Sequence, residues 1–574
     1  MRRYLPFLDW LPKYNKNLFG KDLVAGITVG IILIPQGMAY AMIAGLPPVY
    51  GLYASLLPIL VYAFLGTSRQ IAVGPVAMDS LLVAAGLGTL AITGVENYIA
   101  MALFLAFMIG AFQMLLGFLR MGFLVNFMSR PVISGFTSAA AVIIIFSQLK
   151  HLLGADIASS NKFHQLVINA FQHISETNLY DFGIGIIGIL IIVSFKKWYK
   201  KFPAILLVVV LSSLVVYLFN LEAYDVQVVG VVPAGLPSFT MHNFSIDKIR
   251  DIWPIALTLA LVGYLEAISI GRAFEEKNKV ETIEPNQELI ALGASNMLGS
   301  FFQSYSVTAS FSRSAINYEA GARTTVASII SVIMVALTLL FLTPLFYNLP
   351  KAALASIIMV SVFGLIDLSY PKNLWEQRKD EFMVLLITFL ITLAIGIVEG
   401  ILIGVLMSLL LMVYRTSKPH FAVLGNINGS DYYKNIERFG PEVEVRPDLL
   451  IVRFDSQLYF GNSAYFKSQL FKYIKAKGPG LRAVILNAEA INYIDSTAST
   501  MLMSVIDEIH EMNVQFYIAG AIGPARDIIF ESGIVNCLDK KYLFVKIKEA
   551  VAYYDDPNTI TSLRDKIAYQ NLSN

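Results

Sequence analysis

Charged residues and cysteine are scarce in this chain. Of its 574 residues, 15% are charged and 56% are hydrophobic, and the mean hydropathy is +0.64. This composition excludes an ordinary water-soluble protein of this length, so most of the chain is expected to lie in lipid. The single cysteine, Cys537, excludes an intramolecular disulfide and a four-cysteine zinc site.

Features required by several other protein classes are also missing. The net charge is only +2, and the basic residues are scattered over loops, which argues against a nucleic-acid partner. No GxxxxGK[ST] phosphate-binding loop occurs, so an enzyme driven by nucleotide hydrolysis is not expected. The histidine spacings do not match common zinc patterns, and we predict no metal site and no cofactor. The basic N-terminal stretch lacks a small-residue cleavage signature and is interpreted as a retained segment.

Long apolar runs fill the first 415 residues. Runs such as 325–342 and 382–414 are continuous rather than alternating, which predicts helices that cross a hydrocarbon core of about 30 Å. We predict fourteen transmembrane segments, some of them short. Their approximate positions are 22–43, 50–66, 75–91, 97–119, 130–149, 181–196, 203–220, 254–271, 288–302, 309–318, 324–346, 351–368, 381–397 and 399–415.

The positions of Lys and Arg predict the orientation in the membrane. If the N-terminus is cytoplasmic, the segment count places most loop cations inside, as the positive-inside rule requires. These cations are Arg69, Arg120, Arg130, Lys196, Lys197, Lys200, Lys201, Lys277, Lys279, Lys372, Arg378 and Lys379. We therefore expect a multi-pass protein of the plasma membrane (the inner membrane in bacteria) with both termini in the cytoplasm.

The composition changes near Arg415. From about residue 448, strand-like stretches such as "LLIVRFD", "RAVILNA" and "VQFYIAG" alternate with helical stretches, which predicts an α/β domain. The predicted parts are an N-terminal cytoplasmic segment 1–21, a transmembrane domain 22–415, a linker and start of the cytoplasmic region 416–447, an α/β domain 448–560 and a tail 561–574.

Two segments are interrupted in a way that ordinary spanning helices are not. Gly74 and Pro75 precede a half-length helix in "RQIAVGPVAMDS", and "SYSVTASFSRSA" (304–315) contains seven hydroxyl side chains. A helix that begins at mid-membrane presents unpaired N–H groups and about half a positive elementary charge, so two such ends aimed at one point form an anion site. These are the third and tenth segments, which fits two inverted repeats of seven helices.

Ionisable residues inside the predicted membrane segments are costly unless they are paired or reach water. Arg313 either attracts an anion or forms a structural salt bridge. Glu266, in the eighth segment, either takes up protons for coupling or is a static partner of a cation such as Arg313. Asp79 and Glu399 are weaker candidates for proton uptake. Single Ser and Thr hydroxyls have a simpler interpretation, in which they bond to the preceding helical turn or permit close packing.

Four motifs, in this order, resemble the SulP family of anion transporters. They are "IPQGMAYAMIAGLPPVYGLYAS", "VGPVAMDSLLVAAG", "LEAISIGRAF" and "SYSVTASFSRSAINYEAGARTTVASI". The stretch "NYIDSTASTML" in the α/β domain resembles a STAS domain. The resemblance implies an α-helical polytopic membrane protein of fourteen transmembrane segments in seven-plus-seven inverted repeats, divided into a core and a gate. It also implies an elevator-like motion, a cytoplasmic α/β STAS domain and a homodimer.

In the SulP family the anion binds between the N-termini of the third and tenth helices, with side chains from the first helix. The resemblance therefore implies a substrate site at Gln36, Tyr40, Gly74, Pro75, Val76, Ser310, Phe311, Ser312 and Arg313. Gln36 and Ser312 would donate hydrogen bonds, and the rings of Tyr40 and Phe311 would form the wall. Val76 stands where some members have an aromatic residue, which leaves the size of the anion open.

The same resemblance suggests the coupling ion and a regulatory site. Family members that use protons have a glutamate in the eighth helix, matching Glu266, which favours protons over sodium. Ser496 and Thr497 match positions that are phosphorylated in STAS domains of the sigma-factor pathway, but an N-cap near Ser496 explains the same residues.

Sulfate:proton symport is our main functional hypothesis. The alternatives are transport or exchange of bicarbonate, a dicarboxylate or chloride and, from a different class, a membrane anion sensor that signals through the STAS domain. The expected partners are the inorganic anion, protons, the lipid bilayer, a second copy of the chain and a cytoplasmic protein at the STAS domain.

Overall fold

The chain forms two compact units, Met1–Ser408 and Leu409–Asn574. The computed structural model describes residues 5–90, 92–123, 129–157, 160, 163–198, 203–242, 245–278, 283–428 and 430–557. The predicted tail 561–574 and the loop cations Lys200, Lys201 and Lys279 lie outside the described residues.

The first unit is built almost entirely of helices. The first ten are α1 Phe7–Trp10, α2 Lys16–Ile43, α3 Val49–Tyr53, α4 Leu57–Leu65, α5 Ala77–Gly88, α6 Val95–Phe118, α7 Arg130–Ser147, α8 Leu149–Leu153, α9 Phe163–Gln172 and α10 Leu179–Trp198. The next nine are α11 Ala204–Phe219, α12 Ile246–Asn278, α13 Pro285–Ser300, α14 Phe311–Glu319, α15 Val326–Leu337, α16 Lys351–Phe363, α17 Ser369–Gln377, α18 Lys379–Ala394 and α19 Ile397–Ser417, which continues past the end of this unit at Ser408. Two short strands interrupt them, β1 Ala72–Gly74 and β2 Thr308–Ser310.

Seven helical stretches in the described part of the chain are long and apolar enough to cross a membrane. They are Lys16–Ile43, Val95–Phe118, Arg130–Leu153, Leu179–Trp198, Ile246–Glu275, Val326–Phe346 and Ile397–Ser417. Shorter apolar helices lie between them, including α5, which has 12 residues. A helix lies at each of the fourteen predicted positions, but α14 has only nine residues and is too short to cross the bilayer alone.

The first long helix begins earlier than its apolar run. The Asn15 side chain accepts hydrogen bonds from the backbone N–H groups of Asn17 and Leu18 at 3.1 and 3.0 Å, so it caps α2 six residues before the predicted start at 22. Asp22 then lies inside the helix and is fully buried. Its carboxylate accepts the backbone N–H of Arg323 at 2.7 Å, which ties α2 to the turn that follows α14.

The helices of the first unit form two groups that pack mainly within themselves. One group contains α2 to α6 and α12 to α15, and the other contains α7, α8, α10, α11, α16 and α18. Between the groups, α2 contacts α11 and α16, and α5 contacts α7.

Glycines lie in the most extensive helix contact of the first group, where α6 lies along α13. A Cβ atom on Gly110 would stand 2.4 Å from the backbone nitrogen of Met297 and 2.6 Å from the carbonyl oxygen of Gly293. A Cβ on Gly293 would stand 2.6 Å from the nitrogen of Met114. Small residues on both helices therefore bring the two backbones together, as is common within membranes.

The second unit is a seven-stranded sheet with helices. Its strands are β3 Phe421–Ile427, β4 Tyr433–Asn435, β5 Val443–Glu444, β6 Leu449–Phe454, β7 Ala483–Asn487, β8 Gln515–Ala519 and β9 Leu543–Phe544. Its helices are α20 Ile436–Phe439, α21 Ser463–Lys477, α22 Ser496–Glu511, α23 Gly523–Glu531, α24 Ile534–Leu538 and α25 Ile547–Asp555.

The strand order of this sheet is β4-β3-β6-β7-β8-β9, with β5 paired to β3. Strands β6 to β9 are parallel, and β3 is antiparallel to β6, β4 and β5. Strand β3 lies inside the range 416–447 that the sequence suggested for a linker, so the sheet starts earlier than the alternating pattern indicated. Buried apolar side chains pack on both faces of the sheet.

The α6–α13 contact predicts a specific sensitivity to a methyl group. Gly110→Ala should destabilise the helical unit by about 1–3 kcal/mol, because the new methyl group meets backbone atoms that cannot move aside. Gly183→Ala in α10 is the control, since no atom lies within 4 Å of its Cβ position. Thermal unfolding in detergent should therefore separate the two variants, and equal midpoints would contradict the packing described.

Candidate functional site

The two interrupted segments meet in a short antiparallel pair of strands. Strand β1 pairs with β2 in the register Ala72↔Ser310, Val73↔Ala309 and Gly74↔Thr308. Helix α5 follows β1 after Pro75 and Val76, and α14 follows β2 directly. Two helices therefore begin beside one another, and each presents backbone N–H groups without an intrahelical partner at that end.

Side chains satisfy the backbone groups that the extended chain exposes. Asn296 of α13 accepts the Val307 N–H at 2.8 Å and donates to the Val307 carbonyl oxygen at 3.0 Å. Gln113 of α6 accepts a further hydrogen bond from Asn296 at 3.1 Å. The Ser314 hydroxyl accepts the Ala72 N–H at 2.9 Å. These bonds supply partners within the protein for backbone that is not helical, as a membrane segment requires.

The first turn of α14 has one buried and one open side. Ser310 is its N-cap, and its hydroxyl accepts the Arg313 N–H at 3.4 Å. Phe311 is 57% exposed and Ser312 is also exposed, whereas Arg313 is 1% exposed. The side chains of Phe311 and Ser312 therefore face an opening at the N-terminal end of α14.

The Arg313 guanidinium is buried without a hydrogen-bond partner. Within the described residues, neither Nε nor either terminal nitrogen has one. A Cβ atom on Gly74 would stand 3.2 Å from Nη2, so the guanidinium lies against strand β1. Its electrostatic neighbours are the phenol groups of Tyr40 and Tyr305. An unpaired buried charge is expensive, so a buried guanidinium without a partner is an unusual feature of the described structure.

Gln36 and Tyr40 lie one turn apart on α2, with exposures of 3% and 4%. The Gln36 side-chain oxygen has no hydrogen-bond partner among the described residues. Gly37 lies between them and touches Gly51 of α3, where a Cβ atom would stand 1.9 Å from the Gly37 carbonyl oxygen. This close contact fixes α2 against α3, and Tyr40 interacts electrostatically with Arg313 of α14.

Pro75 and Val76 connect β1 to α5. Val76 is the N-cap residue of α5. Its apolar side chain accepts no hydrogen bond, so the N-cap side chain does not cap the first N–H groups of the helix. Gly74 has φ of +148°, a conformation that favours glycine. The structure thus gathers Tyr40, Gly74 and Arg313 around one point, with Val76 and Ser310 at the two helix starts.

Glu266 lies on α12, and its Oε2 atom is buried with no hydrogen-bond partner among the described residues. The charged group that interacts with it is Asp79, not Arg313. Glu266 and Arg313 are not hydrogen-bonded to each other in the described structure, because Oε2 of Glu266 and all three guanidinium nitrogens lack a partner there; the role of Glu266 stays a prediction.

Ser496 and Thr497 are the first two residues of α22, and both are exposed. The N-cap is Asp495, whose Oδ1 accepts the Ala498 N–H at 2.8 Å. The cap therefore lies one residue before Ser496, because the Asp495 carboxylate accepts the Ala498 N–H. Both hydroxyl groups lie outside the capping hydrogen bond.

Several residues that organise the site were not singled out from the sequence. Tyr305 is fully buried and its hydroxyl lies 3.0 Å from the Ser80 hydroxyl. Asn296 and Gln113 hold the approach to β2. The sequence signal that could have identified Asn296 and Gln113 is a carboxamide side chain inside a membrane helix, which is uncommon unless it bonds to a neighbouring element.

The fold and this site describe a multi-pass helical membrane protein joined to an α/β domain. Comparison with known proteins gives the family: the Sulfate permease family matches residues 19–388, and the STAS domain matches residues 440–550. The chain belongs to the sulfate permease (SulP) family.

The relatives align with almost the whole chain. "Sulfate transporter 4.1, chloroplastic" of Arabidopsis thaliana is 38% identical over 567 residues, which are 95% of this chain and 82% of that protein. "High affinity sulfate transporter 2" of Stylosanthes hamata is 34% identical over 576 residues, 96% of this chain and 86% of that protein. The inward-facing structure of the murine Solute Carrier 26 family member A9 anion transporter has a TM-score of 0.89 at 28% identity and covers 96% of this chain and 94% of that chain.

These matches confirm the resemblance to the SulP family and the predicted fold class, a helical membrane protein with a C-terminal STAS domain. They also confirm that the protein is a transporter and not an enzyme. The seven-plus-seven inverted repeat, the homodimer, the symport mechanism and the individual site residues stay predictions.

The contact between Gly74 and Arg313 predicts how the site responds to one methyl group. Gly74→Ala should raise the anion concentration needed for half-maximal uptake, because alanine strains a backbone at φ +148° and its Cβ meets the guanidinium at 3.2 Å. The control is Gly94→Ala, which has φ of +86° but no atom nearer than 3.8 Å. Radiolabelled anion uptake into proteoliposomes measures both, and an equal effect of the two changes would contradict the placement of Arg313.

Proposed function

We propose that this protein is a secondary active transporter that carries sulfate together with protons. The observation that carries the proposal is the buried guanidinium of Arg313, which has no hydrogen-bond partner in the described chain and lies where two helices begin. A guanidinium offers five N–H donors in a fixed plane and suits an oxyanion. Helix N-termini add partial positive charge and further N–H donors. The names of the relatives, sulfate transporters of two plants, favour sulfate as that oxyanion.

Each remaining site residue has a role in this proposal. Gln36 and Ser312 donate hydrogen bonds to the anion, and the backbone N–H groups at Val76 and Ser310 to Ser312 contribute the helix ends. The rings of Tyr40 and Phe311 form the wall. Gly74 and Pro75 keep the chain extended up to the start of α5, where proline leaves no N–H unsatisfied. Phe311 and Ser312, as the exposed members, are the first to meet an entering anion.

The proposed motion is of the elevator type. The helices that carry the site, α2, α5 and α14, belong to the group formed by α2 to α6 and α12 to α15. We propose that this group is the core, that it moves as a body against the gate formed by the other group, and that it carries the bound anion across the membrane. The pairing of β1 with β2 and the short helices after them support two inverted repeats of seven helices.

The proposed coupling site is Glu266 on α12. Its Oε2 atom is buried and has no hydrogen-bond partner among the described residues, and a proton bound there would remove a charge that has no counterion. Neutralising this charge lowers the negative charge near the anion, so a proton and an anion favour each other's binding.

The remaining parts of the proposal concern the setting of the transporter. We propose a plasma-membrane protein (of the inner membrane in bacteria) with both termini in the cytoplasm, because Lys and Arg concentrate in the loops that this orientation places inside. It acts as a homodimer, and its STAS domain binds a cytoplasmic partner. The exposed hydroxyl groups of Ser496 and Thr497 are accessible to phosphorylation.

The proposal predicts a strong and specific effect of removing the buried cation. Arg313→Gln should weaken sulfate binding by roughly ten- to hundredfold, since charge-assisted hydrogen bonds contribute about 1.5–3 kcal/mol. The measurement is labelled sulfate uptake into proteoliposomes, with bicarbonate, chloride and a dicarboxylate as competitors, and sulfate should compete best. Arg323→Gln is the control, because the Arg323 side chain is exposed.

On the same proteoliposomes, an inward proton gradient should stimulate sulfate uptake by the unmodified protein. Uptake that ignores the gradient would exclude proton symport. Unchanged uptake by Arg313→Gln, or better competition by another anion than by sulfate itself, would exclude the proposed site or the proposed substrate.

A further inference from the structure

Asp79 has a buried carboxylate whose Oδ1 atom does not cap the helix that carries it. It is the third residue of α5 and is 1% exposed. Acidic residues in a first turn often accept backbone N–H groups, but its Oδ1 atom has no hydrogen-bond partner among the described residues. A carboxylate left in this state inside a membrane segment points to a functional role.

A glycine on α12 brings a second carboxylate to this place. A Cβ atom on Gly263 would stand 3.4 Å from Asp79 Oδ2 and 3.3 Å from the Thr308 hydroxyl oxygen. That hydroxyl donates to the Gly263 carbonyl oxygen at 2.7 Å, which holds α12 against β2. Glu266 lies three residues further along α12, and residues three apart share one helix face. Asp79 and Glu266 interact electrostatically, and Oε2 of Glu266 is also buried without a hydrogen bond.

Among the described residues, no cation interacts with the carboxyl group of Asp79 or of Glu266. Glu266 faces Asp79 from α12, and Tyr305 faces it from the segment before β2. Tyr40 of α2 and Arg313 of α14 also interact with Tyr305. In the described part of the chain, α6 and α7 bring no titratable side chain into contact with Asp79. The repulsion between the carboxylates of Asp79 and Glu266 is therefore not offset by a neighbouring cation among the described residues.

Two neighbouring carboxylates that repel each other lower their energy when one of them binds a proton. Asp79 is also close enough to the proposed anion position for its charge to affect anion binding. It lies only about 3 Å further along the helix axis than Ala77, the first residue of α5, at 1.5 Å of rise per residue. An anion at the start of α5 is therefore repelled by the ionised pair, and a proton on the pair removes part of that repulsion. By linkage, the anion then strengthens proton binding to the same extent.

We propose that Asp79 and Glu266 form one shared proton-binding site, in which Asp79 transmits the charge of the proton to the anion at the start of α5. The proposal rests on the proposed function, because it assumes proton-coupled anion uptake. It adds Asp79 to Glu266 as a residue of the proton site. Asp79 lies on α5, the half-helix whose start is proposed to contact the anion.

Two assays on full-length protein in proteoliposomes test the proposal. One is sulfate uptake driven by an inward proton gradient. The other is sulfate counterflow at equal pH on both sides, which needs anion binding and movement but no net proton flux. The variants are Asp79→Asn, Glu266→Gln and the double variant. Glu399→Gln is the control, because Glu399 is an exposed carboxylate elsewhere in the membrane unit.

We expect both single variants to keep counterflow and to lose at least about fivefold of the gradient-driven uptake at neutral pH. The double variant should lose no more than either single variant, because the two carboxyl groups act as one site. Glu399→Gln should match the unmodified protein. Equal loss in Glu399→Gln would overturn the proposal, since any membrane carboxylate would then have the same effect.

The two hypotheses fail in different ways. If Glu266→Gln loses the gradient response and Asp79→Asn keeps it, the shared site is wrong and proton symport through Glu266 stands. If the unmodified protein ignores the gradient, proton symport fails and the shared site fails with it. Should Asp79→Asn not fold, Asp79→Glu keeps a carboxyl group and should retain the gradient response with a shifted pH profile. An unshifted profile in Asp79→Glu would contradict the proposal.

Discussion

Backbone N–H and C=O groups that leave a helix inside a bilayer must find partners within the protein, and this requirement organises the membrane unit. Strands β1 and β2 satisfy each other by pairing Ala72 to Gly74 with Thr308 to Ser310. Asn296 and Ser314 satisfy the flanking residues. What stays open after these bonds are made is the start of two helices, so the opening is lined with donors.

The charges around this opening follow a second constraint, which is that opposite charges are kept apart. Tyr305 interacts with both Arg313 and Asp79, and neither the Arg313 guanidinium nor the Asp79 Oδ1 atom has a hydrogen-bond partner among the described residues. A direct salt bridge would neutralise both and leave nothing for a substrate. In the proposed mechanism, an anion would supply the partner that the guanidinium lacks and a proton would neutralise the carboxylate, so the binding of each ion would favour the binding of the other.

Much of this architecture is readable from the sequence, since long apolar runs and the Gly74-Pro75 interruption are local signals. The hydroxyl-rich stretch also gave the start of α14 near Ser310. The pairing of β1 with β2 was not predicted, because three-residue strands have no periodicity and their partners lie more than two hundred residues apart. Asp79 ranked as a weak candidate for the same reason: its significance depends on Gly263, which allows α12 to approach. In the second unit, β3 was missed because it precedes the alternating pattern.

The most direct test of the account is a structure of the protein with selenate, a sulfate analogue whose selenium atom can be located by anomalous scattering. The account predicts selenium between the N-terminal ends of α5 and α14, with oxygens within hydrogen-bond distance of the Arg313 guanidinium and the Ser312 hydroxyl. Selenium elsewhere in the membrane unit, with the Arg313 guanidinium still unpaired, would contradict it.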